Sequence, residues 1–139
     1  MHMKAIKRSA TLILTFSLLS ACYSQNSYYS RLENDTLTIG NALIERKFVW
    51  NKGNLITYSL TDKTSGQHWL NKTKSPDFRI SEKRDSIWNS SYTTRQVEET
   101  TIHLACLETI ISFSLGGLDI KRIYRIYNNS PAIPCHTYL

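Results

Sequence analysis

The feature that most constrains this chain is a two-residue alternation of apolar and polar side chains, interrupted by glycine-bearing corners, over residues 37–69. Short runs rich in Ile, Leu, Thr, Phe and Tyr are separated there by Gly40-Asn41, by Asn51-Lys52-Gly53-Asn54 and by the cluster from Asp62 to Gly66. A period of two places successive side chains on opposite faces of a strand. Glycine turns the chain back, because it lacks the Cβ that disfavours positive φ. The pattern predicts strands joined by tight turns, and it continues to the end of the chain.

Taken in order, strands are expected at 36–39, 42–50, 55–61 and from His68 onward, with Ile44, Phe48 and Trp50 on one side of the second and Arg46 among them. Residues 71–77 read as loop, and 78–81 and 87–88 as weak strands. Residues 92–99 carry Thr and charged side chains, as a solvated edge does. The stretch 101–115 is apolar on both alternations in its second half, which marks a central strand covered on both faces. Gly116-Gly117 reverses it into 118–127, and 132–139 begins a further strand. The expected class is all-β, an antiparallel β-sandwich over residues 32–139. The chain stops inside an apolar run at His136-Thr137-Tyr138-Leu139, so this sandwich is expected to be incomplete at its C-terminal side.

The first 21 residues read as a signal segment outside the fold. Lys4, Lys7 and Arg8 precede a short apolar run ending in Leu19-Ser20-Ala21-Cys22. That run is too short to cross a bilayer, which needs about 20 apolar residues. The final tetrapeptide is similar to a bacterial lipobox, whose cysteine is acylated and becomes the new N-terminus, and the plainer alternative is a secretory signal cut near Ser24. The lipobox reading gives an exported protein, lipid-anchored at Cys22 to the cell envelope, facing the periplasm or in the outer membrane. Residues 22–31 then read as a polar, aromatic tether.

Charge and cysteine usage fit that address. The formal charge is +6, but three of the 17 Lys and Arg lie in the signal, leaving 14 against 11 Asp and Glu. The rest are scattered, so no basic stripe suited to nucleic acid emerges. With Cys22 lipidated, Cys106 and Cys135 are left, either as a disulfide in an oxidising compartment or as two buried free thiols.

Catalytic chemistry has little to work with. Glu98 and Glu99 point to opposite faces of one strand, and Glu108 reads as a partner for Arg122 or Arg125 across a hairpin rather than as a glycosidase acid. His68, His103 and His136 have no ligand spacing for a metal, and no cofactor motif is present. Trp50, Trp69 and Trp88 are the candidate side chains for sugar stacking, with a core role as the plainer reading for each.

The run Asn41-Ala42-Leu43-Ile44-Glu45-Arg46-Lys47-Phe48, followed by Asn51-Lys52-Gly53-Asn54-Leu55-Ile56-Thr57 and Thr64-Ser65-Gly66, resembles the opening of the N-terminal β-sandwich of Bacteroides-type exported glycoside hydrolases of the α-galactosidase (melibiase) group. The similarity spans roughly residues 32–127 and rests on strand and turn spacing. It implies a galactose-mutarotase-like supersandwich that supports a catalytic (β/α)8 barrel carrying both catalytic aspartates, so no catalytic residue is carried over. The chain by itself is then non-catalytic, with carbohydrate and the parent's barrel as partners. The other expectation is a small surface lipoprotein that binds glycan or a protein.

Overall fold

The computed structural model describes residues 27–80 and 86–139. Over them the chain forms nine strands in two antiparallel sheets, with no helix. The first sheet holds β1 (Tyr29–Glu33), β2 (Thr36–Gly40), β3 (Ile44–Val49), β4 (Ile56–Asp62) and β5 (His68–Leu70) in chain order. The second holds β6 (Ile87–Val97), β7 (Cys106–Leu115), β8 (Leu118–Ile126) and β9 (Cys135–Tyr138), again in chain order. The all-β, antiparallel sandwich expected from the alternation is therefore the fold observed. The signal residues, Cys22 and residues 23–26 of the expected tether lie outside the described residues.

Each sheet is a meander because each reversal has its own turn chemistry. Asn34 and Asp35 both take positive φ, 48° and 57°, and close a two-residue hairpin in which Glu33 faces Thr36. Gly116 and Gly117, at 57° and 88°, do the same between Leu115 and Leu118. Turns with positive φ at both central residues match the right-handed twist of the strands they join.

Leu37, Ile39, Phe48 and Leu55 from the first sheet close over Ile111, Phe113, Leu115, Ile120, Tyr124 and Ile126 from the second. Phe48 meets Tyr124 with ring centroids 5.4 Å apart, in the tilted arrangement aromatic quadrupoles favour. Emptying the Phe48 site would cost about 3–5 kcal/mol. At the β1–β6 margin the sheets are tied by Ser30 to Tyr92 at 3.0 Å and by a Gln96 amide donating to the Tyr28 hydroxyl. β5 and β9 are the edge strands at the other ends of their sheets.

Several boundaries differ from the sequence reading. The sheet starts inside the expected tether: Tyr29 to Arg31 belong to β1, and Tyr28 is buried in the core, because the Asn34-Asp35 turn folds this segment back onto β2. Residues 101–105 are not strand. The Thr100 hydroxyl accepts from the backbone N–H of His103 at 3.1 Å, the Thr100 N–H donates to the His103 carbonyl, and Ile102 and Leu104 are left exposed. That local turn competes successfully with the ladder. Residues 87–97 form one strand rather than two, with a register shift between Trp88 and Ser91 where Asn89 takes a φ of 54°. Phe78 lies in a loop, packed against the core, with its backbone bracketed by the Asn54 side chain.

The cysteines do not form a bridge. Cys106 is a buried free thiol on β7 and Cys135 an exposed one on β9. β8 lies between them, and strand spacing of about 4.8 Å puts them about 10 Å apart laterally, beyond the roughly 7 Å Cα separation a disulfide tolerates. Along β8, Cys135 faces Tyr124, whereas Cys106 extends the ladder past the Leu107–Ile126 pair.

Candidate functional site

Strand parity builds the site. Ile39, Arg46, Leu60 and Trp69 face one another across β2, β3, β4 and β5, forming one inward row. On the second sheet Ile111 faces Arg122 and Thr109 faces Tyr124, and Cys135 on β9 faces Tyr124 in turn. The inward rows that supply core residues elsewhere thus carry one arginine on each sheet, Arg46 on β3 and Arg122 on β8. A register shift between Lys47 and Phe48 leaves Tyr58 without a partner on β3 and half exposed, and brings Thr57 opposite Phe48.

Asp77 joins from the loop after β5. Its backbone N–H donates to the Leu55 carbonyl at 2.8 Å, and its carboxylate accepts from the Thr57 backbone N–H at 2.9 Å and hydroxyl at 2.8 Å. The Thr57 hydroxyl accepts in turn from Arg46 at 2.8 Å. Asp77 Oδ2 is 3.7 Å from the Arg46 guanidinium and 3.9 Å from that of Arg122. One carboxylate therefore stands between two guanidiniums, leaving one positive charge uncompensated within the trio.

Aromatic faces hold the arginines in place. Arg46 stacks over Phe48 at 4.6 Å from the ring centroid and Arg122 over Tyr124 at 5.2 Å. The Arg122 side chain is only 11% exposed, yet its Nε and Nη1 have no hydrogen-bond partner, and the buried hydroxyls of Tyr124 and Thr109 have none either. Burial pushes the Tyr124 phenol well above its ordinary range; the charges of Arg122, Arg46 and Asp77 and the thiol of Cys135 act on it as well. Buried donors without acceptors are uncommon in folded proteins.

The sequence-designated tryptophans do not share a platform. Trp50 is partly buried against the core, and its backbone N–H donates to the Asp35 carbonyl at 2.8 Å. Trp88 faces outward on the second sheet opposite Ser114 and is half exposed. Trp69 alone of the three shares a cross-strand row with Arg46, with Leu60 between them, and it is 49% exposed. Arg46 was legible as an arginine on an apolar face. Arg122 carried the same signal, since it shares parity with Ile120, Tyr124 and Ile126, whereas Asp77 sits in a loop without any.

A second polar group occupies the outer face of the second sheet. Glu108, almost fully buried, faces Arg95 on one neighbouring strand and Arg125 on the other, at 2.5 and 2.9 Å. Burial by itself would raise the Glu108 carboxyl, but hydrogen bonds from Arg125 and Arg95 outweigh it and hold the pKa below its ordinary value. The ion pair expected with Arg125 is present, and Arg122 points to the other face. Together with Val97, Ile102 and Cys106 these residues line a cleft of about 390 Å³. The Cys106 thiol there is pushed up by burial and by Glu108, which disfavours the thiolate a nucleophile needs.

Among the described residues no cluster of three or more His, Cys, Asp or Glu could hold a metal ion, and no helix is long and apolar enough to cross a membrane. Comparison with protein-family models, with curated proteins and with solved structures finds no match to this chain. The likeness to glycoside hydrolase sandwiches rests on the residues quoted for it above.

Proposed function

We propose that this β-sandwich is a non-catalytic, carbohydrate-binding support domain of an exported lipoprotein of the α-galactosidase type, assisting glycan hydrolysis by a catalytic barrel of its parent. The observation that carries this reading is Trp69, a half-exposed indole in the same cross-strand row as Arg46 at the open margin of the sandwich. A pyranose presents a C–H face that packs on an aromatic ring as an apolar surface does, while polar groups beside the ring fix its orientation. The segment before the sandwich gives the anchor, with Cys22 as the acylated residue.

Glycan-array binding by residues 23–139 tests the reading. Saccharide binding that falls when Trp69 becomes Ala, with the melting curve unchanged, is the expected result. Binding to no glycan, or binding indifferent to Trp69, overturns it. For the anchor, Cys22→Ser is expected to move the protein from the membrane to the soluble fraction, and continued membrane association would refute acylation there.

A further inference from the structure

Hydrogen bonds of the entering chain identify one end of the sandwich. The Ser27 N–H donates to the Asn128 carboxamide oxygen at 3.1 Å, and the Tyr28 hydroxyl accepts from Gln96 near the end of β6. The loop over residues 98–105 leaves β6 at that same end, and Val97, Ile102, Leu104 and Tyr127, the neighbour of Asn128, line one cleft. Ile102 is 81% exposed and Leu104 68%, and neither belongs to the core. The turn holds them outward: the Thr100 hydroxyl accepts from the N–H of Ile102 at 3.4 Å and of His103 at 3.1 Å, and the Thr100 N–H donates to the His103 carbonyl at 2.8 Å. A turn fixed in this way presents two aliphatic side chains without the ordering cost that a floppy loop incurs on burial.

The chain before Ser27 indicates what covers them. Cys22 stands five residues before Ser27, a stretch that spans at most about 18 Å. β7, with 10 residues, is about 33 Å long, so an acylated Cys22 brings the bilayer to the end that holds Ile102 and Leu104 and not to the Gly116-Gly117 end. Charge does not supply the attraction, since exposed Glu98 and Glu99 lead into the tip and Arg95 and Arg125 behind it share Glu108. Apolar contact does. From this geometry we infer that the 98–105 loop is a membrane-docking element, whose Ile102 and Leu104 side chains enter the headgroup and upper acyl region of the bilayer to which Cys22 is anchored. The inference rests on the lipoprotein reading above and adds the orientation of the domain, with the Gly116-Gly117 end facing away from the lipid.

The mature lipoprotein, reconstituted into phosphatidylcholine vesicles, tests this by hydrogen exchange, with the unlipidated Cys22→Ser mature chain in solution as reference. Amides of residues 101–105 are expected to exchange at least about tenfold more slowly on the vesicle, the worth of burying one aliphatic side chain. Replacing both Ile102 and Leu104 by Ser is expected to remove that protection and leave the melting curve unchanged. In a Leu104→Trp variant, bromine near the headgroup end of the acyl chains is expected to quench the added indole more than bromine at the chain end, as an insertion depth of about 5–10 Å requires. Unprotected amides with no added quenching overturn the inference and leave the anchor standing. Failure of the mature protein to remain on vesicles overturns both. Protection that survives the two serines overturns the assignment to this loop, and protection that needs phosphatidylglycerol and vanishes in high salt overturns apolar insertion. Protection that rises with protein concentration in the lipid-free chain assigns the surface to a second copy and overturns the inference as well.

Discussion

Arg122 and Tyr124 sit two residues apart on the inward face of β8, the guanidinium 5.2 Å from the centre of the ring, and both carry buried polar atoms without hydrogen-bond partners. The ring belongs to the core through its contact with Phe48. The hydroxyl does not contribute to that packing, so ring and hydroxyl separate experimentally.

Tyr124→Phe keeps the ring and removes an unpaired buried hydroxyl. Folding stability is expected to stay within about 1 kcal/mol of the parent or to rise, because an unsatisfied group is lost instead of a bond. Urea denaturation measures this, and a loss above about 2 kcal/mol would show that the hydroxyl has a partner.

Glu108 links stability to pH. Its folded-state pKa is held below the ordinary value of 4.5, so its contribution is fully present above that value and is lost as pH falls through the folded-state pKa. Because Arg95 is 65% exposed and Arg125 33%, solvent screens part of the interaction. Glu108→Gln is expected to cost about 1–2 kcal/mol at pH 7. The gap between parent and variant should close as pH drops below 4.5, and a gap that persists in acid would contradict this account.

Two glycines with the same φ, +88°, differ in what surrounds them. A Cβ at Gly53 would stand 2.9 Å from Phe113 Cβ in the core, whereas at Gly117 it would meet nothing within 4 Å. Gly117→Ala is expected to cost about 1 kcal/mol from backbone strain alone. Gly53→Ala adds overpacking and is expected to cost about 2–4 kcal/mol. Equal melting shifts for the two variants would show that Phe113 moves aside freely.

The two thiols are expected to react at different rates. In the native protein Cys135 should be alkylated within minutes. Cys106, buried and with its pKa raised, should react only on unfolding. Peptide mapping after labelling reads both, and recovery of a Cys106–Cys135 linked peptide would refute the arrangement.

The two-residue alternation, the Gly-bearing corners at Gly53 and Gly116-Gly117, and the doubly apolar β7 determined a meander of antiparallel strands, because side-chain parity and positive φ are local properties that a linear chain already carries. Local pattern also placed Arg46 on an apolar face and Glu108 against Arg122 or Arg125, between which the ladder register decided for Arg125. It did not reveal that Asp77, in a loop without periodicity, reaches back under β4, nor that Trp69 and not Trp50 stands at the open margin, because each depends on how one sheet is laid over the other. Only the tertiary structure set Arg46 and Arg122 on facing layers around a single carboxylate. Hydrophobic burial closes the two inward faces on each other whatever they carry, and polar groups in the same rows are brought together as a consequence.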